Sequence, residues 1–341
     1  MIIEDIKQIN IILEKMWKKR IAIVTHENPD GDGLATAIAF TYFLREYCGA
    51  KPFIIMDSEF PTFLDFLLFK SCRIFSYQSY IEKFKRNFDY LIVLDCHEKE
   101  RVDCNRKIFD ISEKVLVIDH HITRKSSLNP ELDYYIDPTA VCTGVMIHRF
   151  LYEKIMSFQK DFPDNNLRWI KIYADCIYTS IINDTDNFVN SNTDQETFSV
   201  VADLIGLGLK PHKIANKFLY QKSISYFKFL GKVLTTIEVE KSIAMYHSTL
   251  AMLAESNQTT DAYSKMMRWT KGVNDIDIIV FFQEYENNLW RIGLRSEKYN
   301  VAKIAHHFAG GGHERASGFQ IKGDFETIKQ EVISYLKSFI G

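Results

Sequence analysis

Acidic and imidazole side chains recur at the points where predicted secondary-structure elements end. Three of these points follow apolar runs typical of buried strands, IAIVT, YLIVL and KVLVI, and a fourth follows the helical run IYADCIYTSI. The residues at these points are His26, Asp30, Asp32, Asp95, Asp119, His120, His121 and Asp184. Carboxylates and imidazoles without thiolates suit Mn²⁺ or Mg²⁺ better than structural zinc. Together, the four points predict a metal site.

Each point also has a purely structural explanation. The segment HENPDGDG has the residue types of any strand-to-helix turn, and an aspartate after a strand often caps a loop or a helix. Two metal ions would explain the number of ligand-type residues at one predicted edge better than separate capping roles would. Ions about 3.5 to 4 Å apart can share a carboxylate and a hydroxide, which attacks phosphorus in line with the leaving oxygen.

These residues need a scaffold that brings separate element ends together. Up to about Ile182, β-type runs alternate with helical patterns, and the runs are apolar throughout, as in strands covered by helices on both faces. This pattern predicts an α/β domain with a parallel sheet, in which ligands bind beyond the carboxyl ends of the strands. From about Thr235, runs such as DIDIIVFFQEY and NLWRIGLR predict a second, smaller α+β domain. The predicted bounds are 1–212 for the first domain, 213–234 for a helical linker and 235–341 for the second domain.

The composition is that of a globular protein. Of the 341 residues, 46% are hydrophobic and 25% are charged, without the signature of disorder. A net charge of −2 argues against a protein that coats long duplex nucleic acid, so any polyanionic substrate is expected to be short. We expect a cytoplasmic protein, because the sequence shows neither a membrane span nor a signal peptide. The six cysteines form no C-x-x-C pair and are expected to be reduced.

The order of the motifs resembles that of the DHH phosphoesterase family. HENPDGD, a strand-end aspartate, DHH and NDT resemble its motifs I to IV, and IGLRSEKYNVAKIAHHFAGGGHERASGF resembles its DHHA1 substrate-binding domain. The resemblance covers nearly the whole chain. Size and layout are most similar to the compact NrnA-like members, which are nanoRNases and pAp phosphatases, and to related dinucleotide phosphodiesterases.

The family pattern implies a role for each residue. It implies two divalent ions, Mn²⁺ foremost, with Mg²⁺ or Co²⁺ as alternatives. The ligands would be His26, Asp30 and Asp95 for one ion, and Asp32, Asp95, His120 and Asp184 for the other. Asp95 would bridge the ions, His121 would contact the phosphate, and Asp119 would orient a ligand imidazole. Asp186 stands where the family often has a small residue, which leaves open whether Asp184 alone fills the last ligand position.

The segment GGGHERASG is the candidate for substrate binding. Its glycines allow backbone NH groups to approach an anion, and His313 and Arg315 can add charge-assisted hydrogen bonds, although the segment alone could equally be a turn. By resemblance, this loop would hold the part of the nucleotide away from the scissile bond. The predicted substrate-binding residues are Arg295, Ser296, Gly310, Gly311, Gly312, His313 and Arg315.

Aromatic residues close to this loop are candidates for stacking on a base. Most aromatic residues at helical spacing belong to a core, and Phe308 is predicted to do so. The alternatives of stacking and packing stay open for Tyr299, His306 and His307.

The resemblance implies a metal-dependent phosphodiesterase or exonuclease. Such an enzyme would hydrolyse very short oligoribonucleotides and linear dinucleotides such as pApA to 5′-mononucleotides, and would also dephosphorylate pAp. One alternative is a cyclic dinucleotide phosphodiesterase acting on c-di-AMP, and another is a nucleotide sensor without turnover. A sensor is disfavoured because none of the motif ligands is missing. The sequence leaves a homodimer open.

Overall fold

The computed structural model of the chain describes residues 2–3, 5–69, 72–121, 128–129, 131–163, 168–263, 266–270 and 272–340, without the side chains of Asp261, Arg268 and His313. These residues form two compact units, Met1–Gln221 and Lys222–Gly341. The first unit is α/β and the second is α+β, as predicted. The linker predicted over 213–234 stays a prediction, and its residues are helical before and after the division at Gln221.

The first unit contains a parallel six-stranded sheet. Its strands are β1 (Arg20–Val24), β2 (Lys51–Ile55), β3 (Ile74–Phe75), β4 (Phe88–Leu94), β5 (Ser112–Asp119) and β6 (Asp133–Ile136). They lie in the order β3-β2-β1-β4-β5-β6, and each neighbouring pair is parallel. Apolar runs predict β1, β2, β4 and β5, whereas β3 and β6 are too short to show a strand pattern.

Helices cover both faces of this sheet, as predicted. They are α1 (Ile6–Lys15), α2 (Gly31–Glu46), α3 (Tyr77–Phe84), α4 (Thr143–Asp161), α5 (Arg168–Asp184), α6 (Gln195–Gly206) and α7 (Pro211–Ala215), which a π turn at Asn216–Tyr220 follows. Successive strand residues point to opposite faces. Ile21 and Ile23 therefore pack with α2, α4 and α5, whereas Ala22 and Val24 pack with Tyr80 of α3.

The strand order explains why separate sequence motifs can meet. After β1 the chain forms β2 and β3 on one side, and it then returns to place β4 on the other side of β1. In parallel sheets of this kind, the crevice beyond the carboxyl ends at the reversal is the usual ligand site. His26, Asp95 and Asp119 lie at the carboxyl ends of the three adjacent strands β1, β4 and β5.

The second unit contains another six-stranded sheet, in the order β11-β12-β10-β9-β8-β7. Its elements are α8 (Ile224–Leu234), β7 (Glu238–Glu240), β8 (Ile243–Ser248), α9 (Leu250–Glu255), β9 (Ile278–Glu286), β10 (Leu289–Arg295), α10 (Val301–His307), β11 (Gly311–His313), β12 (Ala316–Lys322) and α11 (Phe325–Ile340). All pairs are antiparallel except β8 with β9. The predicted glycine loop therefore contains a short strand, β11.

Two further expectations concern the whole chain. Within the described ranges, no helix has the length and hydropathy that crossing a membrane requires. All six cysteines lie in those ranges as free thiols, and all but Cys72 are buried, as expected for reduced core residues.

Candidate active site

Asp95 lies at the centre of the cluster of acids and histidines. Its amide NH donates to the carbonyl oxygen of Ile118 over 2.9 Å, which continues the pairing of β4 with β5 by one residue. Its left-handed backbone, with φ of 59°, ends the strand there. One carboxylate oxygen lies 3.5 Å from Nε2 of His26, and the other lies 3.5 Å from Nε2 of His120. Asp95 therefore faces two separate groups of ligand-type atoms.

The first group comprises His26, Asp30 and Asp95, whose ligand atoms all lie within 4.8 Å of one another. Nδ1 of His26 lies 2.8 Å from the carbonyl oxygen of Glu27, so Nε2 is the ring nitrogen that faces the acids. Asp30 caps α2 by accepting hydrogen bonds from the NH groups of Asp32 and Gly33. The turn-type residues of this loop thus cap a helix and supply ligands at the same time.

The second group comprises Asp32, His120 and Asp184, also within 4.8 Å of one another. Nε2 of His120 lies 3.2 Å from Asp184 and 3.6 Å from Asp32. Asp184 is the last residue of α5, so this helix brings a ligand to the strand ends from a distant part of the sequence. All six predicted metal ligands therefore occur in two adjoining groups, with Asp95 between them.

Asp32 is fully buried and receives hydrogen bonds from three helices. Its Oδ1 accepts from Ser180 of α5 over 2.5 Å and from Thr36 of α2 over 3.2 Å. The first NH groups of α4, those of Thr143 and Gly144, donate to Oδ2 and Oδ1 over 2.8 and 3.2 Å. A helix N-terminus stabilises an anion at this place. Oδ1 is thus saturated, and Oδ2 is the oxygen that faces His120.

The electrostatics of the second group indicate a shortage of positive charge around its acids. Burial lowers the pKa of His26 and of His120, but their hydrogen bonds to neighbouring aspartates outweigh it and raise both pKa values to about 12. Burial, followed by the charges of Asp95 and Asp184, raises the pKa of Asp32 well above its usual range. Burial is also the main cause of the raised pKa of Asp184. Asp32 and Asp184 are thus buried acids that resist ionisation, and bound cations would favour their charged forms.

Asp119 contacts two imidazoles, one of which the sequence motifs did not reveal. Its Oδ1 accepts from Nδ1 of His121 over 2.7 Å, and its Oδ2 forms a short hydrogen bond with Nδ1 of His97. The predicted orienting contact is therefore with His121 rather than with the ligand imidazole of His120. Only the position of His97 two residues after Asp95, at the same strand end, could have indicated it.

Asp186 lies just beyond the second group. It begins a left-handed turn in which Asp186, Asn187 and Phe188 have φ values of 48°, 60° and 68°. Among the described residues, one of the three groups with metal-ligand geometry contains Asp184, and none of them contains Asp186. The third of these groups, Asp95 with His120 and His121, overlaps the other two.

In the second unit, the glycines of the predicted substrate loop differ in what surrounds them. A Cβ on Gly310 would lie 2.3 Å from the carbonyl oxygen of Gly318, and one on Gly312 would lie 2.7 Å from that of Ala316. These two glycines are required by the close approach of β11 to β12. A Cβ on Gly311 would meet no atom within 4 Å. Packing therefore explains two of the three glycines, and Gly311 remains open to a ligand.

The other predicted substrate residues lie at one end of the second sheet. Arg295 pairs with Ala316 across β10 and β12, and His313 pairs with the same residue across β11 and β12. The Ser296 hydroxyl donates to the carbonyl oxygen of Asp277 and accepts two backbone NH groups, so it is engaged in holding its own turn. Arg315 is exposed, and the side chain of His313 lies outside the described part of the chain.

The aromatic candidates divide between packing and exposure. Phe308 stacks on Phe319 with ring centroids 4.4 Å apart, which confirms that it belongs to the core. His307 stacks on Tyr335 at 3.9 Å and is engaged within the unit. His306 is exposed on α10.

Comparison with known proteins provides independent information. The DHH family, N-terminal domain, matches residues 20–181, and the DHHA1 domain matches residues 245–338. The bifunctional oligoribonuclease and PAP phosphatase NrnA of Thermus thermophilus is 27% identical over 322 residues, which are 93% of this chain and 89% of that relative. The cyclic-di-AMP phosphodiesterase PdeA of Listeria monocytogenes is 26% identical over 265 residues, which are 73% of this chain and 36% of that longer protein.

A solved structure has the same fold. The exopolyphosphatase-related protein from Bacteroides fragilis matches with a TM-score of 0.81 at 21% identity, covering 97% of this chain and 96% of that one. The two family models together match most of the sequence, one in each structural unit. The chain therefore belongs to the DHH phosphoesterase family and has a C-terminal DHHA1 domain.

Proposed function

We propose that this protein is a metal-dependent phosphodiesterase that hydrolyses very short oligoribonucleotides and linear dinucleotides, such as pApA, to 5′-mononucleotides. It would also remove the 3′-phosphate of pAp. The observation that carries the proposal is the pair of adjoining ligand groups, in which Asp95 belongs to the first and lies 3.5 Å from Nε2 of His120 in the second. The similarity to NrnA, over most of both chains, supports the substrate class. We further propose that it acts in the cytoplasm.

The donor set fits two divalent ions, with Mn²⁺ as the proposed metal. His26, Asp30 and Asp95 would hold one ion, and Asp32, Asp95, His120 and Asp184 the other. The donors are oxygens and imidazole nitrogens, as such ions prefer. When bound, the ions would activate water for attack on phosphorus and stabilise the charge that develops.

The remaining residues of the site would act on the substrate. His121, whose Nδ1 donates to Asp119, would contact a phosphate oxygen, and its side chain is more exposed than those of His26 and His120. Asp95, whose backbone is tied to β5, would be a ligand of both ions. In the second unit, Arg295, Arg315 and the open backbone at Gly311 would bind the distal part of the nucleotide.

A second candidate is hydrolysis of a cyclic dinucleotide. The similarity to the c-di-AMP phosphodiesterase PdeA favours it. We favour hydrolysis of linear substrates, because the match to NrnA covers nearly the whole length of that relative, whereas the match to PdeA covers about a third of it. A sensor without turnover is disfavoured, because both ligand groups are complete among the described residues.

Product analysis on a small substrate panel tests this proposal. Purified protein with Mn²⁺ is incubated with pApA, a short oligoribonucleotide, pAp and c-di-AMP, and AMP formation is followed by chromatography. We expect turnover of the linear substrates and of pAp, with kcat/KM for pApA exceeding that for c-di-AMP. The His120→Ala variant should lose more than about a hundredfold in activity, because it lacks a ligand of the second group.

The matched control is His212→Ala, which alters an exposed histidine of α7 and should leave the rates unchanged. Faster hydrolysis of c-di-AMP than of pApA would favour the second candidate. Absence of turnover on every substrate, or equal activity in the parent and His120→Ala, would contradict a phosphodiesterase function.

A further inference from the structure

We propose that His97 is a positioning residue of this active site, which fixes the carboxylate of Asp119 and through it the imidazole of His121. The inference rests on the proposed function of the site. It adds a residue outside the sequence motifs to the set that governs turnover.

The first support is the hydrogen bonding of Asp119, which is fully buried. Its Oδ1 accepts from the backbone NH of His121 over 3.2 Å and from Nδ1 of the same residue over 2.7 Å. Its Oδ2 accepts a hydrogen bond from Nδ1 of His97. Three N–H donors thus occupy both oxygens. Removing His97 would leave one buried oxygen without this donor, which is costly for a charged group.

The second support is the way the chain turns after β4. The left-handed conformation of Asp95 sends successive side chains in different directions. Asp95 faces the two ligand groups, and Cys96 is buried in the core with Sγ 3.3 Å from the carbonyl oxygen of Glu98. His97 then reaches Asp119 at the end of the neighbouring strand. The same turn therefore places both the proposed metal ligand Asp95 and His97, the hydrogen-bond partner of Asp119.

The consequence concerns the ring of His121. A carboxylate accepts hydrogen bonds, so both Nδ1 atoms that contact Asp119 carry a proton. This contact fixes the tautomer and the orientation of the His121 ring, as carboxylate partners commonly do for functional histidines. If His97 did not hold Oδ2, the carboxylate could rotate and the orientation of His121 would be lost.

Three substitutions of His97, and a double-mutant cycle with His121→Ala, separate this role from a general effect on folding. His97→Asn keeps an amide nitrogen at the δ position, His97→Gln moves it to the ε position, and His97→Ala removes it. We expect His97→Ala and His97→Gln to lower kcat for pApA by about 10- to 100-fold, with KM and the Mn²⁺ requirement changed less than about threefold. His97→Asn should recover most of the loss. In a His121→Ala background, His97→Ala should have almost no further effect.

Ring-nitrogen NMR with Mg²⁺ gives a second measurement that does not depend on turnover. The parent should show His121 protonated at Nδ1, and His97→Ala should show a mixture of tautomers. Equal losses from His97→Ala with and without His121, together with an unchanged His121 tautomer, would overturn the inference. If the parent turned over no substrate, the proposed function would fail, while the tautomer measurement would still decide the role of His97.

Discussion

At the scale of single residues, the sequence predicts the ligands but not what holds them. His26, Asp95 and His120 are recognisable because each follows an apolar run. The donors around Asp32 are not recognisable, because Ser180 and the first NH groups of α4 reach it only in the folded chain. The role of His97 is not recognisable for the same reason, since its partner Asp119 lies on another strand.

We predict that Ser180→Ala weakens metal binding. It removes a 2.5 Å hydrogen bond to Asp32, and hydrogen bonds to charged groups contribute about 1.5 to 3 kcal/mol. The Mn²⁺ concentration for half-maximal activity should rise about tenfold or more, and calorimetric titration should show the same change. Ser199→Ala, on the exposed side of α6, is the matched control. An unchanged Mn²⁺ requirement in Ser180→Ala would mean that this hydroxyl does not position Asp32.

At the scale of elements, the clearest difference from expectation is β11. Three successive glycines have low strand propensity, so the sequence predicts a loop. The structure forms a strand because Gly310 and Gly312 let the backbone approach β12 more closely than any side chain would allow. The short strands β3 and β6 were missed because two and four residues carry too little pattern.

We predict that two neighbouring glycine substitutions separate stability from binding. Gly310→Ala places a methyl group 2.3 Å from the carbonyl oxygen of Gly318 and should destabilise the protein by about 1 to 3 kcal/mol. Gly311→Ala meets no atom within 4 Å, so its free energy of unfolding should stay within about 0.5 kcal/mol of the parent.

Urea unfolding measures the free energy of unfolding of both variants, and initial rates with pApA measure the effect on substrate binding. Gly311→Ala should raise KM severalfold, since its methyl group would stand where the loop meets the nucleotide. If Gly311→Ala left KM unchanged, the assignment of this loop to substrate binding would be wrong.

At the scale of the whole molecule, the architecture follows from pattern and order. Apolar runs that alternate with helices predict a parallel sheet with helices on both faces, and the later strand-like runs predict the α+β unit. The strand order could not be predicted, because periodicity does not specify which strands pair. That order brings the ends of β1, β4 and β5 together. Helix α5, which comes much later in the sequence, adds Asp184.

The number of Mn²⁺ ions bound per chain tests most directly the claim that the two ligand groups hold two ions, with Asp95 as a ligand of both. Calorimetric titration and elemental analysis should give two ions for the parent. The nearly isosteric Asp95→Asn should lose tight binding of both, because Asp95 is a ligand of the first group and its other oxygen lies 3.5 Å from His120 of the second. Asp186→Asn, beside the second group, should still bind two. One ion or none in the parent, or two tightly bound ions in Asp95→Asn, would contradict the account.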